Sequence, residues 1–99
     1  MFARVSRYHG DADLLEQGFS SVTSELEQLD GFAKAYFLLD RTHGTAMSIT
    51  LWHSAEALKA SAQRAHEMRT RATDQADAST ESVESFEVPL TAEARGARA

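Results

Sequence analysis

Cysteine is absent from the 99 residues, and proline occurs once. Without thiols the chain has no disulfides, no thiolate nucleophile and no Cys-ligated metal. The one proline, Pro89, blocks ladder pairing beyond it. Cationic residues are also short: 10 Lys and Arg stand against 15 Asp and Glu, a formal net charge of −5. That balance disfavours nucleic acid and anionic membrane as partners. No apolar run approaches the length of a membrane span. Arg4 and Arg7 interrupt the apolar pattern at the start, so no leader peptide is expected there, and a cytoplasmic location is the expectation. The four histidines form no close-spaced metal motif. No Gly-rich phosphate loop and no nucleophile elbow occurs. Neither a metal nor a cofactor is therefore expected.

What is present is ordinary for a folded domain, with 42% hydrophobic and 25% charged residues. The length suits one domain, and so short a chain gains from oligomerisation. The organising stretch is Gly44 to Ser54. In a strand, Met47, Ile49 and Leu51 point one way, and Ala46, Ser48, Thr50 and Trp52 the other. Neither face is charged, so both are expected to be covered. The lone Trp closes the strand, where a pocket floor would lie.

Phe2 to Tyr8 reads as a first strand, with Phe2, Arg4, Ser6 and Tyr8 on one face. After a loop at His9-Gly10-Asp11, Asp11 or Asp13 can cap a helix from about Ala12 to Leu29, whose apolar side is Leu14, Leu15, Phe19, Val22, Leu26 and Leu29. Gly31 is its expected left-handed stop. Phe32 to Asp40 alternates as a second strand and joins the organising strand through a hairpin loop. Ser54 caps a second helix to about Thr73. Its inner face of Leu58, Ser61, Ala62, Ala65, Met68, Arg69 and Ala72 is small, so the helix either packs very close or leaves a cavity. Glu81 to Val88 reads as a fourth strand. Residues 91–99 are expected to fray, and residues 1–90 form the domain.

The order strand, helix, strand, strand, helix, strand predicts an α+β, ferredoxin-like βαββαβ fold: an antiparallel four-stranded sheet with two helices on one face. The other sheet face then needs a partner, and a homodimer joined sheet to sheet is the economical solution. The βαββαβ order, Asp30-Gly31-Phe32, and Leu51-Trp52-His53-Ser54-Ala55-Glu56-Ala57-Leu58 resemble the antibiotic biosynthesis monooxygenase superfamily of dimeric α/β barrels. The resemblance covers roughly residues 1–90. It implies a pocket between sheet and helices, and a cofactor-independent oxygenase acting on an aromatic, phenolic or polyketide-like small molecule.

Carried over residue by residue, Trp52 matches the family's Trp, and Arg69 corresponds to its Arg on the second helix. Ser48 stands where the quinone-forming members have an Asn, and Leu58 where they have a Tyr. For haem-degrading members, His66 could stand for their His, but Ser6 or Val5 replaces their Asn and Ser61 falls near their Trp, which argues against that activity. The residues assigned to chemistry are Trp52, Arg69 and Ser48. Those assigned to binding are Ser6, Tyr36, Thr50, Leu58, Ala62 and His66, with Tyr8 beside Tyr36 and His66 in a second rank. Arg69 would stabilise a phenolate or enolate, because a fixed positive charge lowers the pKa of a bound acid. Two other functions remain open: a non-catalytic dimeric binding or scaffold domain, and an isomerase or cyclase with His66 as base.

Overall fold

The computed structural model describes residues 1–96. Their elements run β1 (Phe2–His9), α1 (Ala12–Ser20), α2 (Thr23–Glu27), β2 (Phe32–Asp40), β3 (Thr45–Trp52), α3 (Ala55–Ala60), α4 (Ala62–Ala76) and β4 (Ser79–Glu87). The strands form one antiparallel sheet in the order β2-β3-β1-β4. With the helices on one face, this is the ferredoxin-like α+β architecture that the sequence predicts.

Each expected helix is two segments. Both breaks share one feature. Ser21 Oγ donates to the Gly18 carbonyl at 2.6 Å, and Ser61 Oγ to the Leu58 carbonyl at 2.8 Å. A serine hydroxyl that takes a backbone acceptor three residues back competes with the helical ladder. The caps fall where short polar residues precede each helix: Asp11 accepts from Leu14 N–H, and Ser54 from Ala57 N–H, both at 3.0 Å. Helix α4 runs past the expected Thr73 to Ala76 and stops at Asp77, whose φ of 50° is left-handed. Aspartate tolerates that conformation better than most residues, so β4 begins earlier than Glu81.

Two glycines set the spacing between layers. Gly31 is not the helix stop expected, since α2 ends at Glu27 with Gln28 as a right-handed cap; at φ +76° it turns the chain into β2, and a Cβ there would lie 2.4 Å from Ala57 Cβ. Gly18 works through space instead. A Cβ on it would lie 2.6 Å from the Ala72 carbonyl oxygen, so α1 and α4 touch backbone to backbone. The small face of the second helical region therefore does both of the things expected of it: at Ala72 it packs close against α1, and beside Ala65, Met68 and Arg69 it leaves a cavity over the sheet.

On the helix side of the sheet, Arg4, Ser6 and Tyr8 of β1 lie beside Ser48, Thr50 and Trp52 of β3. The β2–β3 register shifts between Phe32 and Lys34. That irregularity moves Phe32 out of phase with Lys34 and Tyr36, and its ring meets Trp52 edge-on at 5.5 Å. Two apolar clusters result. One gathers Tyr8, Leu15, Phe19, Ala46, Ala72 and Ala76, and the other Val22, Leu26, Trp52, Leu58 and Met68.

On the opposite sheet face, Val5, Met47, Ile49 and Leu51 are half-buried, and Tyr36, Leu38 and Phe86 are exposed. No helix covers it. Among the described residues, no helix is long and apolar enough to cross a membrane. Residues 91–96 add a turn and no strand or helix, and 97–99 of the expected tail lie outside the described residues.

Candidate functional site

Between the two apolar clusters lies a cavity of about 40 Å³. Its floor is the sheet, through Arg4, Ser6, Tyr8, Phe37, Ser48, Thr50 and Trp52. Its roof is Phe19, Val22 and Leu26 from the first helical region, with Ala65, Met68, Arg69 and Ala72 from α4. Ala65 and Ala72 carry the smallest side chains of this roof, which leaves space above the floor. The volume holds a few waters or a group the size of a carboxylate.

The polar groups on the floor are held by one another. Tyr8 Oη and Ser48 Oγ lie 2.8 Å apart across the β1–β3 pair, where either can donate. Trp52 is fully buried, and its Nε1–H donates to Thr50 Oγ1 at 3.0 Å. The indole therefore offers a guest its ring and not its N–H. Tyr8 meets Phe19 edge-on at 5.1 Å, a geometry worth about 0.5–1.5 kcal/mol beyond area burial. Such packing fixes the phenol where its hydroxyl reaches Ser48.

Arg4 is the residue that sequence reasoning missed. Only 7% of it is exposed. Its Nη1–H donates to Ser61 Oγ at 3.2 Å and its Nη2–H to the Leu58 carbonyl at 2.6 Å. The break at Ser61 makes this possible, because it frees a carbonyl that a continuous helix would have used. The guanidinium carbon sits 5.8 Å from the Trp52 ring centroid. Burial, and then the Arg69 charge, hold the Arg4 guanidinium below its ordinary pKa. The signal was available: Arg4 alternates in phase with Ser6 and Tyr8, on the face that the first strand turns toward the helices.

Five of the nine residues assigned from sequence line the cavity: Trp52, Arg69, Ser48, Ser6 and Thr50. The other four stand elsewhere. Tyr36 is out of phase with the floor and lies exposed on the far face of the sheet. Leu58 is buried in the apolar cluster around Trp52 without lining the cavity, and reaches the site through its carbonyl. Ala62 opens α4 in solvent just after the break. His66 is exposed on the outer side of α4, with Glu67, Thr70 and Arg71. A straight-helix projection from Leu58 misassigns Ala62 because the helix is interrupted at Ser61, and the family resemblance that offered His66 puts it on the wrong side of α4. Among the described residues, no three His, Asp or Glu side chains cluster as metal ligands would.

This architecture is the fold of the antibiotic biosynthesis monooxygenases. A structure of SnoaB, a cofactor-independent oxygenase from Streptomyces nogalater, superposes with a TM-score of 0.67 at 21% identity, covering 91% of this chain and 94% of SnoaB. A Deinococcus radiodurans protein provisionally described as an antibiotic biosynthesis monooxygenase gives a TM-score of 0.72 at 14% identity, covering 97% of this chain and all of the other (100%). MhuD, a haem-degrader from Mycobacterium tuberculosis, gives 0.68 at 23% identity, covering 94% and 100%. At these identities the likeness is one of fold.

In sequence, the chain is 34% identical over 83 residues to two uncharacterized Mycobacterium tuberculosis proteins, Rv2557 and MT2634. The match covers 80% of this chain, which spans only 36% of the relatives' length. No protein-family model matches the chain.

Proposed function

We propose that residues 1–90 form a cofactor-independent monooxygenase domain for an aromatic, phenolic or polyketide-like small molecule, working in the cytoplasm as a homodimer. The observation that carries this reading is the cavity between sheet and helices, with Trp52, Arg69 and Ser48 on its wall. It occupies the layer where a ring can lie against the indole while a cation faces its oxygen. Arg69 favours the deprotonated form of a bound phenol or enol, the electron-rich state that reacts with oxygen directly. Oxidation of a ring CH₂ to C=O by one O₂, with release of one water, then balances without a further reductant. The Tyr8–Ser48 pair supplies hydroxyls near the reacting oxygen atoms. The likeness in fold to a cofactor-independent oxygenase supports the same reading.

The apolar sheet face supports the homodimer. Tyr36, Leu38 and Phe86 are exposed there beside Ile49 and Leu51, and an apolar surface of this kind is normally covered.

Oxygen consumption with a panel of hydroxylated polycyclic aromatics tests the activity. Uptake that falls in Arg69→Met supports the proposal. Ligands that bind beside Trp52 without any uptake would overturn it in favour of a non-catalytic binding domain. The free volume is small, so in either reading a polycyclic guest enters only if the roof moves away from the floor. Haem degradation and proton transfer by His66 lose their support, because His66 faces solvent on the outside of α4.

A further inference from the structure

The cavity's charge is one-sided. Arg4 and Arg69 both line it. Neither is within ion-pair distance of a carboxylate among the described residues. Two acids of the helical layer are engaged with other cations: Glu25 with Arg64 and Arg71, and Glu67 with Arg64. The protein gives Arg4 two neutral acceptors, Ser61 Oγ and the Leu58 carbonyl, while a guanidinium carries five donors.

Burying a cation without a counter-charge is costly, and a second cation at the same void raises the cost. The depressed pKa of Arg4, through burial and Arg69, registers the same conflict. The chain as a whole is at −5, so this positive spot is not part of a general basic surface. An anion would relieve the conflict; the free space matches the carboxylate group alone, so the ring attached to it enters only as the roof moves away from the floor.

We infer that the pocket's guest is a ring compound bearing a carboxylate, whose oxygens sit between Arg4 and Arg69 while its ring lies against Trp52. This deepens the reading of the cavity as a small-molecule pocket and rests on it. A carboxylate forms charge-assisted hydrogen bonds to guanidinium groups. It also places the ring at a fixed distance from the Tyr8–Ser48 pair, so Arg4 acts as an anchor and Arg69 faces both anchor and ring. The neutral analogue of the same shape would leave the two cations as they are.

Calorimetric titration with a naphthalene carboxylate and the matching naphthalene carboxamide tests this. Quenching of Trp52, the sole tryptophan, reports whether each compound enters this cavity. The expected result is a preference for the carboxylate of about tenfold or more, lost in Arg4→Met and in Arg69→Met, with carboxamide affinity changed less than about twofold. Arg69 is only half-buried, so its variant keeps the test readable if Arg4→Met folds poorly. Equal affinities in the native chain would overturn the anion inference and leave the aromatic pocket standing. A carboxylate preference that survives both substitutions would also overturn it, placing the anion elsewhere. No quenching by either compound would remove the pocket reading together with this inference.

Discussion

Arg4 and Leu58 meet where α3 ends, the Arg4 Nη2–H donating to the Leu58 carbonyl at 2.6 Å. The contact pins the middle of β1 to the interruption between two helices. It is not the only bond to that carbonyl, because Ser61 Oγ also donates to it at 2.8 Å. Arg4→Met therefore keeps the acceptor satisfied, retains an apolar stem and removes a buried charge. Its unfolding free energy in urea, without ligand, is expected to be unchanged or higher by up to about 2 kcal/mol. A clear loss of stability would contradict this and mean that the guanidinium is already well compensated.

Thr50→Val separates the roles around Trp52. It removes the acceptor of a fully buried indole N–H. The expected cost is about 1–3 kcal/mol, seen as a lower urea midpoint. Trp52→Phe in the same background should abolish that particular increment, because no N–H remains to be orphaned.

Gly18→Ala reverses the usual helix rule. At an exposed helical site this change stabilises by about 1 kcal/mol. Here the new methyl would meet the Ala72 carbonyl at 2.6 Å. Separation of α1 from α4 should lower stability by about 1–3 kcal/mol. A thermal melt at or above that of the native chain would contradict the close approach.

Glu25 links α2 to α4 by accepting from Arg64 and Arg71, and these bonds hold its carboxyl below its ordinary value of 4.5. A depressed carboxylate pKa contributes stability above the unfolded value, and that contribution is lost as pH falls through the folded one. Glu25→Gln should therefore melt lower than the native chain at pH 7, and the two curves should converge on acidification below about pH 4. Asp40, held low chiefly by its hydrogen bond to His43, adds a loss of the same sign in both chains. Salt at about 1 M should shrink the difference at neutral pH, since these groups face solvent.

Ile49→Lys tests the homodimer. Ile49 lies at the centre of the open face, paired with Val5 on one side and Tyr36 on the other. A native solution mass of twice 10.9 kDa that drops to 10.9 kDa in the variant is the expected outcome. A native chain that sediments as a single copy at micromolar concentration would remove the dimer.

The fold was legible because period-two and period-3.6 patterns are strong in this chain. Strand β2 falls at Phe32–Asp40, as its alternation predicts, and Asp11 and Ser54 cap the helices they precede. The helix breaks were hidden, because Ser21 and Ser61 are common helix-surface residues until one sees their hydroxyls take backbone carbonyls. That one feature explains why Ala62 falls outside the cavity and why a carbonyl is free for Arg4. Strand alternation placed Ser6, Ser48, Thr50 and Trp52 on one face, and they share it in the structure. Arg4 shares their phase, but a charged residue near the start of a chain reads as surface until its burial is known.

Strand β4 has a consequence for how copies of this chain can meet. It closes one margin of the sheet with Glu81, Glu84 and Glu87 and carries no lysine or arginine of its own. Two such margins laid side by side would bring two rows of carboxylates well inside one screening length of about 8 Å. Open-ended growth of the sheet from copy to copy is thereby repelled at this border.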